Sequence, residues 1–472
     1  MNISHTIILI TSFLLQFSMH VMSQSVFVEG ILEYMVTDSA GTTPIVAVTR
    51  MVGNPQRANQ YEPVKLYIPS RIIHQGTEYV VSEIASGAFS NCNDIEMIEL
   101  ANGIEFVEPY AFVDCHKLET VYLPASLKSF CVPNFQGCRR LQSLSVANGN
   151  TTYDSRDGCN AIIDSKAKVL VCGICTSHIP DDICEIGNYA FYGCVSLRNV
   201  PLHDKIERIG DLAFAHCINI ESVFIPENLK KLGSAALAHT SIKEINIPAH
   251  VEYIGSAPFM GCSTLSSISV NRKNKKYDSR KRCNAIIESS NNILIGGCRT
   301  TVIPNSIRTI RRDAFRNLLS LQTISIPKKI TQIEGNPFMG CKSLVSINVA
   351  NGNTTYDSRD GCNAIIDSKK GKLIAGCTLT HIPHDIETIG DFAFYGTYNA
   401  SVLEIPVNIQ HIGRYAFANL SSLKTLYLPT NMKTVEDHAF AGCSQLEYVD
   451  MPRSILSVSS TAFNGCNKLH TR

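Results

Sequence analysis

A phenylalanine recurs along this chain at a nearly fixed spacing of 23 positions. Phe89, Phe112 and Phe135 follow one another at this spacing, and most later members of the series keep the same step. One unit, residues 206–226, reads I-x-x-I-G-x-x-A-F-x-x-C-x-x-I-x-x-V-x-I-P. A repeat of this length is typical of a solenoid, in which each unit buries its apolar face only against its neighbours. The series predicts thirteen units between residues 81 and 472.

Each unit closes with a segment that has the periodicity of a β-strand. In residues 423–429, the apolar Leu426 and Leu428 alternate with Tyr427, and a proline follows. Stacked units would therefore form a parallel sheet with about 4.8 Å between strands. The proline has no amide donor, so we expect it to end the strand. The Ile-Gly-x-x-Ala-Phe stretch is expected to be the return path, built from turns and short helical or 3-10 segments, with the phenylalanine in the core.

The repeated motif I-P-x-x-I-x-x-I-G-x-x-A-F-x-G-C-x-x-L resembles the BspA-like leucine-rich repeats of surface proteins from bacteria and some protozoa. The resemblance covers residues 81–472. It implies an α/β-type leucine-rich repeat solenoid with a parallel β-sheet on one face. It also implies a secreted or surface-displayed protein of a kind often linked to adhesion or host contact.

Residues 1–80 lack the repeat. Residues 7–17 form an apolar run that is shorter than the roughly 20 residues of a membrane-spanning helix. We therefore predict a secretory signal peptide over residues 1–23, no transmembrane span after its removal, and a secreted or cell-surface location. The alternative is an N-terminal anchor that stays attached. Residues 24–80 contain short strand patterns and are predicted to be a β-rich cap on the open end of the solenoid, with an independent binding module as the alternative.

Three units are longer than the others. The phenylalanine spacing becomes 56 positions at three places, which adds 33 positions to the usual step. We predict long coils near residues 147–180, 271–304 and 350–383, because each extra segment leaves and rejoins the array at equivalent positions. In the first long coil, residues 160–164 and 169–171 are expected to pair as a β-hairpin that projects from the array.

The second long coil differs from the other two in charge. Seven basic residues oppose one carboxylate, Asp278, within residues 272–282, which gives a net charge of +6. A sulfated glycan or another polyanion could bind here by salt-sensitive pairing; the alternative is a solvated loop without a ligand. The residues assigned to this candidate site are Lys273, Lys275, Lys276, Arg280, Lys281 and Arg282. The whole chain has a formal net charge of only +1, which argues against a nucleic acid as its partner.

The cysteines are predicted to be core residues. Nine of the 18 lie three positions after the repeat phenylalanine, where other units place Thr240 or Leu318, so the position is an apolar slot. Two pairs, Cys283 with Cys298 and Cys362 with Cys377, could instead form disulfides within their long coils. The chain has none of the G-x-S-x-G, H-E-x-x-H or phosphate-loop motifs. We therefore predict no enzyme activity, no metal site and no cofactor.

The outward side of the predicted sheet carries aromatic residues. Exposed, rigid aromatic side chains favour recognition of proteins and glycans, although they could simply pack across neighbouring strands. The candidate ligand-binding residues are Tyr122, Phe224, Tyr427 and Tyr448. The sequence thus predicts a recognition or adhesion protein whose partner is an extracellular protein or glycan. The alternative is a structural scaffold of the cell envelope without a specific ligand.

Overall fold

The structure, a computed structural model, describes residues 25–52, 64–200, 202–397 and 401–470. The predicted signal peptide lies outside these residues. Residue contacts divide the chain into two compact units, Met1–Ser155 and Arg156–Arg472. Within each unit, successive coils add strands to parallel sheets, and equivalent residues of neighbouring coils lie 22 or 23 positions apart. The predicted solenoid is therefore confirmed.

The first unit starts with antiparallel strands that precede the repeats. Val26–Glu29 pairs with Leu32–Asp38 across a tight turn that contains Gly30, whose φ of 60° suits a glycine. Leu32–Asp38 pairs with Ile45–Met51, which then pairs in parallel with Thr77–Ile84. The antiparallel strands thus join the sheet to which the first coils add, and this arrangement supports the proposal that residues 24–80 cap the repeats. Arg71–His74 also pairs antiparallel with Thr77–Ile84.

Each coil has two strand positions, and the longer of the two is the strand predicted from L-x-x-I-x-I-P. We call these the primary strands. In the first unit they are Val64–Ile68, Ile95–Leu100, Thr120–Leu123 and Ser143–Val146. In the second unit they are Glu244–Ile247, Ser267–Val270, Thr323–Ile326, Ser346–Val349, Val402–Glu404, Thr425–Tyr427 and Tyr448–Asp450. The apolar residues of these strands point inward, as Ile245 and Ile247 do, so the alternating pattern was interpreted correctly.

The second strand position lies on the return path, where the sequence pattern predicted turns and short helical pieces. These two-residue secondary strands pair in parallel with the secondary strands of neighbouring coils, in sheets separate from those of the primary strands. They are Phe106–Val107, Ser129–Phe130, Glu185–Ile186, Arg208–Ile209, Lys231–Leu232, Tyr253–Ile254, Thr309–Ile310, Gln332–Ile333, Thr388–Ile389, His411–Ile412, Thr434–Val435 and Ser457–Val458. The described residues contain three 3-10 segments, Arg156–Gly158, Arg280–Arg282 and Arg359–Gly361, and no α-helix.

The glycine that follows several secondary strands is required by close contact between coils. A Cβ atom at Gly233 would lie 2.5 Å from the amide nitrogen of Asp211 in the preceding coil. Its φ lies outside the left-handed region, so the lack of space excludes a larger residue here. The Ile-Gly pair of the repeat therefore marks a place where neighbouring backbones approach very closely.

The Ala-Phe segment forms a turn that stacks on the same turn of the next coil. The Phe191 amide donates to the Ala213 carbonyl over 2.8 Å, and the Phe191 and Phe214 rings stack with centroids 5.2 Å apart. The residues two positions after these phenylalanines, Gly193 and His216, have φ of 71° and 62°. The return path is thus held by a ladder of backbone hydrogen bonds on one side and a stack of buried rings on the other.

The long coils contain the predicted β-hairpin, but it does not project from the array. In the first long coil, Ala161–Asp164 pairs antiparallel with Val169–Gly173, which then pairs in parallel with Glu185–Ile186. Ile162 and Ile163 are fully buried. The hairpin is therefore part of the stack, because its first strand is apolar on both sides. The equivalent pairs are Ala285–Glu288 with Ile293–Gly297 and Ala364–Asp367 with Lys372–Gly376. Short strands Tyr153–Asp154, Tyr277–Asp278 and Tyr356–Asp357 precede the hairpins.

Candidate functional site

Two of the predicted aromatic residues come together on the primary strands of the second unit. The rings of Tyr427 and Tyr448 meet edge to face, with centroids 6.2 Å apart, and the residues are 39% and 46% exposed. Tyr427 lies between Glu404 and Asp450 on the two flanking strands. We call Tyr427 and Tyr448 the aromatic pair. It combines a rigid apolar surface and two phenolic hydroxyls with carboxylates at its edge, a mixture suited to a partly polar ligand.

The other two predicted aromatic residues lie apart from this pair in the sequence and in different structural settings. Tyr122, 43% exposed, belongs to the first unit and follows Tyr67 and Glu99 in one row across the primary strands. Tyr67 is 58% exposed and was missed by sequence reasoning because its strand precedes the first complete repeat. Phe224 is 59% exposed but lies in a segment that has no strand assignment.

The predicted polyanion residues lie in one loop, residues 271–282, which we call the basic loop. Its exposed cations, which include one residue outside the predicted site, are Arg272, Lys273, Lys275, Lys276, Lys281 and Arg282. Among the described residues, no ion pair involves any of these six side chains. The Lys276 ammonium lies 5.6 Å from the centroid of the Tyr277 ring. The loop therefore presents a concentrated positive charge to solvent.

Arg280 has a different environment from the other predicted residues. Its guanidinium is half-buried and bonds Asp278 through Nε at 2.8 Å and through Nη2 at 2.5 Å, while Nη1 donates to Asn292 over 2.8 Å. Burial disfavours the charged form of Asp278, but its hydrogen bonds outweigh burial and hold the pKa of this carboxyl below its usual range. Arg359 bonds Asp357 in the same way in the third long coil. Arg280 thus fixes the shape of the loop and leaves the six exposed cations available.

Six of the nine repeat cysteines are buried, and each of these six donates a hydrogen bond to a carbonyl of the preceding coil. The Cys217 thiol donates to the Phe191 carbonyl of the preceding coil over 3.0 Å, and Cys341 contacts the Phe315 carbonyl at the same distance. Burial raises the pKa of the Cys217 thiol to about 12. The position is therefore a packed core slot, as predicted, with a polar contact that the sequence does not reveal. The two disulfides considered for the long coils are absent: the free thiols are Cys283, Cys298, Cys362 and Cys377.

A line of ring contacts runs along the outside of the Ala-Phe turns. His216 and His239 stack with centroids 4.5 Å apart, and burial, together with the charges of His216 and Arg316, lowers the pKa of His239 to about 4. Phe392, Tyr415 and His438 form a similar stack. Across residues 25–52, 64–200, 202–397 and 401–470, no group of three or more His, Cys, Asp or Glu side chains is placed to hold a metal ion.

A shallow cavity of about 240 Å³ lies over the secondary strands near the end of the second unit. Thr388, His411 and Thr434 face it from successive coils, and the His411 Nδ1 atom lies 2.9 Å from the Thr434 hydroxyl. Asp391 and Arg414 also line it. No sequence motif marks this cavity, because Thr388, His411 and Thr434 are 23 positions apart in the chain.

The structure can be compared with crystal structures of other proteins. A leucine rich cell surface protein from Faecalibacterium prausnitzii is 20% identical, with 95% of this chain and 94% of that chain covered and a TM-score of 0.35. A leucine-rich repeat protein from Bacteroides ovatus is 20% identical, with 94% and 93% covered and a TM-score of 0.35. The pneumococcal vaccine antigen PcpA is 18% identical, with 94% and 80% covered and a TM-score of 0.35.

The sequence can also be compared with protein families. No curated protein matches the chain. Within the described ranges, no helix is long and apolar enough to cross a membrane. The family described as BspA type leucine rich repeat region (6 copies) matches residues 74–158, 170–288, 296–360 and 373–471. Because this match extends over more than half of the chain, the protein belongs to the BspA-type leucine-rich repeat family.

Proposed function

We propose that this chain is an exported or cell-surface recognition protein that binds an extracellular protein or glycan without catalysing a reaction. The aromatic pair carries the proposal. Tyrosines are rigid, and their ordering on binding costs little conformational entropy. Here two of them already touch on the surface of a sheet and have carboxylates beside them. A ligand with an apolar face and polar groups around it, such as a sugar ring or a peptide, fits this surface.

Export is inferred from the apolar run at residues 7–17, which is typical of a signal peptide. The family supports the same location, because BspA-like repeats occur in surface proteins of bacteria and some protozoa. The repeat architecture supports a binding role, since a solenoid offers an extended surface. The thiols of Cys217 and Cys341 are buried in the core, and burial raises their pKa values, which supports a role without thiol catalysis.

Capture on defined targets tests the proposal. Residues 24–472 are passed over an array of purified extracellular-matrix proteins and glycans, alongside a variant that combines Tyr427→Ser and Tyr448→Ser. We expect the parent to bind at least one target and the variant to bind it about 10-fold or more weakly, because loss of interface aromatics is costly. Tyr253→Ser is the matched control, since Tyr253 is 43% exposed but lies on a secondary strand.

The result distinguishes a ligand site at the aromatic pair from a ligand site elsewhere and from a scaffold without a ligand. Equal capture by the parent and the double variant would move the ligand site away from these two tyrosines. Failure of the parent to bind any target would favour the structural scaffold of the cell envelope. Both variants must retain the parent's circular dichroism spectrum, so that a loss of binding reports the surface and not the fold.

A further inference from the structure

The basic loop is one of three loops with the same internal construction. Asn274 donates from Nδ2 to the carbonyls of Pro248 and Val251 over 2.8 and 3.1 Å, and its Oδ1 accepts from the amides of Lys276 and Tyr277 at 2.9 and 2.8 Å. Asn150 and Asn353 make the equivalent four bonds in the first and third long coils. The loop is thus fixed by bonds that do not involve the side chains of its exposed cations.

The loop is also pinned at its other end. The Ser279 hydroxyl accepts from the Val270 amide over 3.0 Å, and the Tyr277 hydroxyl accepts from the Ile254 amide over 3.1 Å. Asp278 accepts from both Arg280 and the Ser289 hydroxyl. Because these groups are already bonded, the exposed cations are displayed on a frame that needs little ordering when a ligand arrives.

The exposed cations are not neutralised by the surrounding coils. The long coil that carries them has two carboxylates, Asp278 and Glu288. Asp278 is bonded by Arg280, and Glu288 lies 3.9 Å from Arg311. Elsewhere in the second unit, cations and carboxylates on neighbouring coils face each other in pairs, such as Arg208 with Glu185 at 2.6 Å, Lys230 with Glu207 at 2.9 Å and Lys243 with Glu221 at 2.6 Å.

Two of the cations occupy a backbone conformation that long side chains rarely adopt. Lys281 and Arg282 have φ of 58° and 54°. The first and third long coils place an Asp-Gly pair at the same positions, as Asp360 and Gly361 with φ of 57° and 63° show. Glycine and aspartate are adapted to this geometry, whereas arginine is not. The Lys-Arg pair therefore adds two exposed cations to the loop at positions where the Asp-Gly pair suits the backbone better.

We propose that the basic loop is a binding site for a sulfated polysaccharide, contacted by Arg272, Lys273, Lys275, Lys276, Lys281 and Arg282. Four of the six are lysines, whose compact ammonium groups pair with sulfates as point charges. A nucleic acid is a poorer match, because base stacking needs exposed aromatic rings and the loop's one aromatic residue, Tyr277, is buried. A membrane is also a poorer match, since none of the exposed residues is apolar enough to insert.

The proposal rests on the proposed export of the chain, because sulfated polysaccharides are extracellular ligands. It does not rest on the aromatic pair. The two sites are tested with different ligands and different variants, so one can fail while the other holds.

The chain itself supplies the sequence of a loop that folds in the same way and is close to neutral: residues 147–158 have a net charge of −1, against +6 in the basic loop. We call this sequence the neutral loop. A variant of the full chain receives the residues of the first and third long coils at all six positions. The substitutions are Arg272→Asn, Lys273→Gly, Lys275→Thr, Lys276→Thr, Lys281→Asp and Arg282→Gly. We expect this neutral-loop variant to bind heparin about 100-fold more weakly than the parent at about 0.15 M salt, and to elute from heparin resin at a lower salt concentration.

A second variant restores the charge at a different place. In the neutral-loop background, the third long coil receives Thr354→Lys, Thr355→Lys, Asp360→Lys and Gly361→Arg. We expect heparin binding to return in part, because the third loop has the same frame. A heparin affinity unchanged in the neutral-loop variant would overturn the proposal.

Competing polyanions distinguish the classes of ligand. The parent is titrated with heparin, with chemically desulfated heparin, with a single-stranded oligonucleotide and with vesicles containing phosphatidylserine. We expect binding to heparin and at least 10-fold weaker binding to the other three. Equal binding of desulfated heparin, or tighter binding of the oligonucleotide or the vesicles, would contradict a sulfated polysaccharide as the ligand.

Discussion

A single methyl group decides whether two coils can stack at the secondary strands. A Cβ at Gly233 would approach the Asp211 nitrogen to 2.5 Å, and the Gly233 amide is held by a hydrogen bond to the Ile209 carbonyl of the preceding coil. We expect Gly233→Ala to lower the free energy of unfolding by about 3 kcal/mol, measured by urea denaturation. Gly41→Ala is the control, because the nearest atom to its Cβ is 3.8 Å away. Equal effects of the two substitutions would disprove the steric explanation.

The stacked histidines make stability depend on pH. The pKa of His239 is lowered to about 4, below the value of about 6.5 expected in the unfolded chain. Between these values the unfolded state binds more protons, so the contribution of His239 is complete above about pH 6.5 and is lost as the pH falls toward 4. We expect a loss of about 1–2 kcal/mol over this range, after allowing for the partial exposure of the ring.

The variant His239→Asn isolates this contribution. At the equivalent turn position of two other coils, the chain itself has Asn317 and Asn419, with φ of 56° and 60°. An asparagine at position 239 should therefore preserve the backbone. Thermal unfolding is compared at pH 7, 5.5 and 4.5, and the variant is expected to lose less stability than the parent. An identical decline in both proteins would assign the pH dependence to other groups.

Sequence reasoning succeeded for residues whose role repeats and failed for residues whose role depends on a partner. The core phenylalanines and the cysteine slot recur every 23 positions, and their burial follows from that recurrence. The pairing of Arg280 with Asp278 could not be read from charge alone, because a loop sequence does not show which cations are bonded. The sequence does contain one signal: Arg359 occupies the equivalent position in a loop without excess positive charge, which indicates a structural role for this arginine.

At the level of structural elements, one asparagine holds each long-coil loop. Asn353 makes hydrogen bonds with Pro327, Ile330, Thr355 and Tyr356 at 2.9–3.1 Å. We expect Asn353→Ala to lower the free energy of unfolding by about 3 kcal/mol, because several backbone groups lose their partners. Limited proteolysis should also cut within residues 350–362 faster than in the parent.

The neighbouring residue provides the control for this element. Thr354 is exposed, and Thr354→Ala is expected to change stability by less than about 0.5 kcal/mol. If the two alanine variants resist urea and protease equally, the asparagine does not hold the loop.

The primary strands could be predicted and the secondary strands could not. A primary strand such as Glu244–Ile247 is long enough to show the alternation of buried and exposed side chains that defines a strand. A secondary strand such as Arg208–Ile209 is too short to show any period. It exists because the same two positions recur in the next coil, and that interaction is between distant parts of the sequence.

For the molecule as a whole, stacking predicts that damage stays local. Each coil is stabilised by the coils on either side, so a disturbed coil should affect its neighbours more than distant ones. In Gly233→Ala, we expect faster hydrogen exchange at the amides of Gly210, Gly233 and Gly255, which bond across adjacent coils. Exchange at Gly390 and Gly413 should match the parent. Uniform acceleration over the second unit would indicate one cooperative fold instead.

Because backbone hydrogen bonds join successive Ala-Phe turns, the chain can be lengthened or shortened most easily by whole windings. The amides of Phe191 and Phe214, one winding apart, donate to equivalent alanine carbonyls of the windings that follow them. The chain thus offers the same donors and acceptors at the start and at the end of such a winding. An insertion is therefore compatible with the stack when the chain rejoins it at the equivalent position, as it does after each addition of 33 positions. Surface chemistry can then be gained, lost or moved along the molecule by copying a winding, without any redesign of the interior that supports it.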